Sequence, residues 1–402
     1  MKKNIVLIVL LVLVVIHTVH TTKIIKNNKF WSVQSIDTMK FSRDAARSGY
    51  TSAQIDMEVK NIAEIGATHV AIDTPYDSEF LPVIKVWVES ARKYHLNVWF
   101  RGNWSGWEGW FDYPKTLTRA EHLQKTVEFI KNNADLFQNG DIFTACPECE
   151  NGGVGDPRTI DKDGFKKFMI DEYKATTDAF SLINKRVISN FYSMNGDVAR
   201  LVMDTTTTAS LGGVITVDHY VATPAKLISD VNEMALKANG KIVLGEFGSP
   251  VPDVTGIQSE NQQYKWINEL FVRMANDPNI IGMNYWTDRG SSTSLWNDDG
   301  SAKKSVSIVQ SYFSPKTIDI TIKDNTGLKL SNAKINYLNK DFITDNNGRI
   351  EIPYTDDLLN SNFKIYLDNN NFKQISLNEI LQKKGVIIVN RNASLLEILQ
   401  GK

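Results

Sequence analysis

The stretch "KIVLGEFGSP" (241–250) holds a short apolar run that delivers a single carboxylate, Glu246, between two glycines. A β-strand that ends this way sets a charge at its C-terminal tip, where little side-chain bulk hinders a close approach. Seven other segments of the chain share the strand-like character: "FWSVQSID" (30–37), "THVAID" (68–73), "NVWFRGN" (97–103), "DIFTACPE" (141–148), "RVISNFY" (186–192), "GVITVDHY" (213–220) and "IIGMNYW" (280–286). Between them lie longer stretches with apolar residues three to four apart, such as "SAQIDMEVKNIAEIGA" with Ile55, Val59, Ile62 and Ala63. Eight strands alternating with helices is the count of a (β/α)₈ barrel. A doubly wound sheet would share the alternation but would bring a glycine-rich phosphate loop after its first strand, and none is seen.

The pattern changes near Pro315. Short runs at close spacing follow, "TIDITI", "AKINYL", "RIEIPY", "FKIYL" and "GVIIVN", punctuated by "DNTG", "DNNG" and "DNNN". That is the signature of a small all-β sandwich. The expected division is an N-terminal export segment over 1–28, a catalytic α/β barrel over 29–314 and a β-sandwich accessory domain over 315–402.

The first residues, "MKKNIVLIVLLVLVVIHTVHTTK", place two lysines before an unbroken apolar run from Ile5 to Ile16. This is the charged and apolar pair of regions of an export signal. Twelve apolar residues are short for a membrane span, and no small-residue cleavage site follows, so a cleaved peptide and an uncleaved membrane anchor both stand. Either reading puts the remainder outside the cytoplasm, secreted or at the cell surface. The 402 residues carry 45 Lys and Arg against 46 Asp and Glu, with no long basic run, which argues against nucleic acid as a partner. A neutral partner such as a carbohydrate suits this balance, and the chain is expected to act as a monomer without a cofactor or metal.

Active sites of such barrels gather at the C-terminal ends of the strands. There the sequence offers Arg101 and Asn103 before "WSGWEGWF", Glu148, Asn190 with Tyr192, Asp218 with His219 and Tyr220, Glu246, and Asn284 with Tyr285 and Trp286. Strands 4 and 7 face each other across the mouth. Two carboxylates so placed can perform glycoside hydrolysis, one protonating the leaving oxygen and the other attacking the anomeric carbon or activating water. Arg101 and Tyr220 are expected to hold Glu246 ionised. Trp104, Trp107 and Trp110 recur every third residue, and a rim of aromatic faces for sugar stacking is expected of them, with core packing as the alternative.

"DIFTACPE" and "KIVLGEFG", with a tyrosine ending strand 6 and a tryptophan ending strand 8, resemble the clan of retaining (β/α)₈ glycoside hydrolases that includes the cellulase-like family 5. The resemblance covers roughly residues 30–313. It implies Glu148 as acid/base, Glu246 as nucleophile, Tyr220 as its hydrogen-bond donor and Trp286 as the sugar floor. The clan's asparagine before the acid is replaced here by Pro147, and its strand-6 histidine by Asp218, so Asn103 and Asn190 are candidates to hold the sugar instead. The C-terminal stretch "GLKLSNAKINYLNKDFITDNNGRIEI" resembles the carboxypeptidase-regulatory-like or transthyretin-like sandwich domains.

Two glutamates compete for the acid in "CPECENGG". Glu148 and Glu150 share parity in an extended chain, and Glu148 takes the strand-end place. Cys146 and Cys149 flank it. A redox C-x-x-C should open a helix, and a zinc site needs about four ligands. A local disulfide and two unpaired small hydrophobes both remain open. Two further readings stand beside the glycosidase: a non-catalytic carbohydrate-binding surface protein on a degenerate barrel, and a metal-dependent hydrolase or deacetylase.

Overall fold

The computed structural model describes residues 29–152, 155–159, 161–367 and 371–390. The export segment expected at 1–28 lies outside the described residues. Among the described residues no helix is long and apolar enough to cross a membrane.

Eight parallel strands form one curled sheet: β1 (Val33–Asp37), β2 (His69–Ile72), β3 (Asn97–Phe100), β4 (Ile142–Phe143), β5 (Ser193–Asn195), β6 (Val214–Asp218), β7 (Lys241–Phe247) and β8 (Ile280–Tyr285). β1 pairs with both β2 and β8, and the order runs without a break from β4 through β1 and β8 to β5. The chain leading into β5 closes the ring. Ile142 bridges Ile188 in parallel, and Phe143 N donates to Ile188 O at 2.8 Å. This is the (β/α)₈ barrel that the alternation implied.

Local chemistry starts the helices. Thr51, Thr118 and Ser259 each accept from a backbone N–H three residues on, and Gln54, Glu121 and Gln262 return a bond to the cap residue's own N–H. These capping boxes each satisfy two otherwise orphaned donors. The helices Leu81–Lys93, Pro224–Ala238 and Glu260–Ala275 bury one apolar face each against the sheet.

Inside the ring a separate buried cluster forms from Val33, Ala71, Trp99, Ile142, Phe191 and Val243. The two-residue strand period then brings Asp37, Asp73 and Arg101 to the same face, nearer the C-terminal end. The barrel is therefore plugged with hydrocarbon low down and charged above.

Strand 5 departs from the sequence reading. The segment 186–192 was expected to be that strand, with Asn190 and Tyr192 at its tip. The ladder with β6 instead pairs Ser193 with Thr216 and Asn195 with Asp218. The apolar run "RVISNFY" marks the approach to the strand, and the paired residues, "SMN", are not an apolar run at all.

From Lys316 onward seven strands make two sheets. One is ordered β11 (Lys340–Ile343), β10 (Lys334–Tyr337), β13 (Asn362–Tyr366) and β14 (Phe372–Ser376); the other β12 (Arg349–Tyr354), β9 (Lys316–Asp324) and β15 (Val386–Val389). This module meets the N-terminal end of the barrel. Asn339 Nδ2 donates to Asn276 O at 2.9 Å, and Lys340 Nζ to Phe30 O at 3.2 Å. Phe30 and Asn276 precede β1 and β8, so the contact lies at the opposite end from the strand tips.

Candidate active site

A bulge in β7 aims the central carboxylate. Leu244 stands beside Val217 in β6, but the next pair is Glu246 with Asp218, so Gly245 is an extra residue. Without it the strand period would turn Glu246 away from Val243 and the barrel interior. Glycine is required at this point, since a β-carbon on Gly245 would lie 2.3 Å from Asp218 Oδ1 and 2.8 Å from Ser193 Cβ. The Gly245 carbonyl, freed from a regular ladder, accepts from Arg101 Nη1 at 2.9 Å and from Asn284 Nδ2 at 3.0 Å. Gly248 is needed for a similar reason, as a β-carbon there would meet the Trp286 carbonyl at 2.4 Å.

Glu246 is buried and accepts two hydrogen bonds. Arg101 Nη2 donates to Oε1 at 2.5 Å and Tyr220 Oη to Oε2 at 2.9 Å. Arg101 is itself enclosed by carboxylates, with Asp37 and Asp73 each 3.4 Å from Nε and Asp218 3.8 Å from Nη2. One guanidinium thus answers four buried acids. Burial and mutual repulsion drive Asp73 and Asp218 well above the usual carboxylate range. Burial likewise lifts Glu246 to about 8, against Arg101 and Tyr220, which pull it down. The two contacts expected to keep Glu246 ionised are present, and burial outweighs them in the free protein.

Asp37 and Asp73 end strands 1 and 2 and escaped the sequence reading. The signal is in the sequence: "SID" and "AID" close both strands with the same apolar–acid step.

Glu148 and Glu150 separate because the chain does not stay extended. Glu148 adopts φ 44°, ψ 47°, a left-handed conformation in which a β-carbon is crowded, and a 3₁₀ turn over Cys149–Asn151 follows. Its N–H donates to Ser193 O at 2.9 Å, which ties the turn to β5. Cys146 and Cys149 are joined as a disulfide around it and both are buried. Glu148 is half-buried, with Asn151 Nδ2 3.1 Å from Oε2, and its charge helps raise both Glu246 and the neighbouring Glu108. Glu150 turns inward instead. It is 5% exposed and accepts from Asn195 N at 2.7 Å and Asn195 Nδ2 at 3.1 Å. Burial raises Glu150 to about 7. Asn195, the true tip of strand 5, was missed because the strand itself was placed too early.

The other named residues divide. Tyr220 meets Trp286 edge-on at the mouth, ring centroids 6.0 Å apart. Asn103 is fully buried beside the site, donating to Glu108 Oε1 at 2.9 Å and standing 3.0 Å from His122 Nε2. Asn190, by contrast, donates to Leu211 O, ahead of β6, which puts it at the far end of the barrel. Tyr192 faces the surrounding helices, as its parity opposite Phe191 and Ser193 requires. His219 packs outward onto the helix Pro224–Ala238, 2.9 Å from Asp230 Oδ2. Trp104 and Trp107 are core residues, 7% and 0% exposed, with Trp104 packed on Tyr76 and Phe129 and Trp107 on Phe168. The short helix Ser105–Glu108 turns these two rings inward. Trp110 alone of the three stays half-exposed, under the Arg43 guanidinium at 4.8 Å.

Solved structures that share this fold include glycosidases. A β-glycosidase aligns with a TM-score of 0.50 at 11% identity, over 72% of this chain and 96% of that one. The β-D-glucuronidase of Dictyoglomus thermophilum aligns with a TM-score of 0.48 at 14% identity, over 71% and 50%. A β-glucuronidase from Ruminococcus gnavus, in complex with D-glucuronic acid, gives 0.46 at 13%, over 66% and 46%. The chain spans about half the length of these glucuronidases. No family model matches the sequence, and no curated protein matches it. At such identities the likeness is one of fold alone.

Proposed function

We propose that the chain is a glycoside hydrolase that cleaves O-glycosidic bonds of an oligo- or polysaccharide with retention of configuration. The observation that carries this reading is the clamp on Glu246: a buried carboxylate at the tip of strand 7, gripped on both oxygens by Arg101 and Tyr220, within reach of the Glu148 charge. In the first step Glu246 Oε attacks the anomeric carbon while Glu148 gives its proton to the departing oxygen. In the second Glu148 takes a proton from water, and that water displaces Glu246. The first step requires the charge on Glu246 and the proton on Glu148. The Arg101 and Tyr220 hydrogen bonds pull Glu246 toward its charged form, against the burial that raises it, because both donate to the carboxylate. Trp286 and Tyr220 line the same mouth and supply an aromatic wall for a sugar ring.

Membership of the cellulase-like family 5 and the transthyretin-like character of the second module remain resemblances of sequence. We further propose an extracytoplasmic location, which the lysine-led apolar N-terminus and the Cys146–Cys149 disulfide both favour. A screen of aryl glycosides and polysaccharides with the wild-type protein and the folded Glu246→Gln variant tests the function. Turnover by the first and none by the second is expected. Absence of turnover on every glycoside would favour a carbohydrate-binding protein on the same barrel.

A further inference from the structure

The charge and hydrogen-bonding capacity of the mouth point to a particular class of sugar. Acids outnumber bases there. Glu108, Glu148 and Glu150 gather together, with Asp218 beside Asn195, the partner of Glu150, and Glu246 on the next strand. Arg101 is consumed by Glu246, Gly245 and the acids around it; Arg43, whose Nε is 2.8 Å from Asp44, and Lys40, 3.2 Å from the same Asp44 and 5.6 Å from the Trp286 ring, are other cations near the mouth. Lys115 stands on the exposed rim beside Glu108.

The buried atoms that lack a partner tell the same story. Both carboxyl oxygens of Asp218, Oε2 of Glu150 and Oδ1 of Asn284 have no hydrogen-bond partner among the described residues, with Asp218 Oδ2 only in ion-pair range of Arg101 Nη2 at 3.8 Å, and Trp286 Nε1 is an unpartnered donor beside them. The hydroxyls of Ser35, Ser193 and Thr216 lie one strand period deeper. Asp218 and Glu150 are both more than nine-tenths buried. Once these carboxyls are ionised, a ligand that brings donors and positive charge completes the site. An ammonium group brings three donors and no acceptor. A uronic acid would bring a second set of acceptors and a like charge beside Glu148, and an N-acetyl group would remove the cation.

We propose that the sugar residue held at this mouth carries a free amine, so that the substrate is a glycoside of a de-N-acetylated hexosamine; this rests on the glycosidase reading above. Proton linkage gives the inference a second signature. Burial holds Glu108 and Glu150 at about 7, so both carry protons in the free protein below neutrality. Around Glu108 stand Asn103, Glu148, Arg43 and Lys115; around Glu150 stand Asn195 and Glu148. An ammonium group favours the ionised carboxyls. Its binding therefore releases protons and strengthens as pH rises from about 5.5 to 7.

The test is a set of 4-nitrophenyl glycosides matched in the sugar: glucosaminide and galactosaminide, each beside its neutral, N-acetylated and uronic counterpart. For one amino glycoside kcat/KM should exceed that of its three counterparts by about tenfold or more. A neutral, N-acetylated or uronic glycoside turned over as fast or faster overturns the inference and leaves the hydrolase intact. Calorimetric titration with glucosamine and N-acetylglucosamine tetrasaccharides separates the two readings. Preference for the amine without turnover of any glycoside keeps this inference and removes the hydrolase; no preference and no turnover removes both. In the variant Glu108→Gln, which keeps an acceptor for Asn103, the ratio of KM for the amino glycoside to KM for the neutral one should rise several-fold. Equal shifts for both would show that Glu108 only props its loop, and would remove it from the assignment.

Discussion

Arg101, at the end of strand 3, donates to Glu246, at the end of strand 7, over 2.5 Å across the interior of the barrel. The contact joins opposite walls of the ring and neutralises part of a four-acid cluster. Removing one partner of such a pair leaves charge stranded in a low-dielectric site, which costs about 3–5 kcal/mol. Arg101→Met should lower the stability of the barrel by that order in chemical denaturation. Arg101→Lys, which keeps the charge but cannot reach Glu246 and Gly245 together, should fold and lose at least about 100-fold in kcat/KM. Normal activity in Arg101→Lys would show that the clamp is structural only.

The two carboxylates proposed for catalysis should respond differently to the leaving group. Glu148→Gln should lose a large factor, on the order of 10²–10⁴, on glycosides with poor leaving groups and far less on activated aryl glycosides. The second kind needs little protonation. Glu246→Gln should be inactive on both, with its thermal midpoint little changed near neutral pH, since burial keeps Glu246 largely protonated there and Arg101 retains Asp37, Asp73 and Asp218. Equal losses for Glu148→Gln on every substrate would assign the acid role elsewhere, and Glu150, the buried neighbour, would be examined by the same series.

The pH dependence follows from the lifted Glu246 carboxyl. Only its ionised form attacks, and burial raises it from 4.5 to about 8. The kcat/KM of the free enzyme should therefore climb as pH rises from 6 toward 8. Stability should run the other way. The folded state holds a proton that the unfolded state releases near 4.5, so this contribution is complete below about 4.5 and is lost as pH rises through about 8. A thermal midpoint lower at pH 8.5 than at pH 5.5 is expected. A flat kcat/KM between pH 6 and 8 would show that Glu246 ionises well below its lifted value.

Several of these residues were legible because strand tips obey a simple rule. Glu246, Tyr220, Arg101 and Trp286 were found by asking what each apolar run delivers. The rule failed where hydrophobicity and pairing part company. Strand 5 pairs through "SMN" and not through the apolar run before it, which displaced Asn190 and Tyr192 and hid Asn195. It also failed where the chain turns. No periodicity announces the left-handed Glu148 or the extra residue Gly245, because both are set by tertiary contacts. The tryptophan stripe has the three-residue spacing of a sugar rim and of a packed turn alike, and burial favoured packing for Trp104 and Trp107.

The disulfide offers a separate check. Cys146 and Cys149 close a loop of four residues around Glu148, and Asn103 Nδ2 lies 3.9 Å from Cys146 Sγ. Cys146→Ala with Cys149→Ala should keep most activity and lose about 1–2 kcal/mol, the scale of a short loop constraint. A chelator should have no effect, since Arg101 supplies the cation at the centre of the acids. Loss of activity with chelator, restored by a metal, would favour the metal-dependent reading.

The second module should be dispensable for chemistry. It reaches the barrel at the end away from the strand tips, through Asn339 and Lys340. A chain ending at Ser314 should show unchanged kcat and KM on small glycosides, with a lower thermal midpoint because Phe30 and Tyr312 lose their cover. A fall in kcat with the barrel still folded would mean that the module completes the site.

The most direct measurement of the central claim is the mass of the protein during turnover of an activated 5-fluoro glycoside of the accepted sugar, which keeps the substituent at C2. A glycosyl adduct is expected, at one copy per chain, and peptide mapping should locate it on Glu246. An adduct on another residue, or an unmodified protein releasing a product of inverted configuration, would contradict the assignment of Glu246 as the nucleophile.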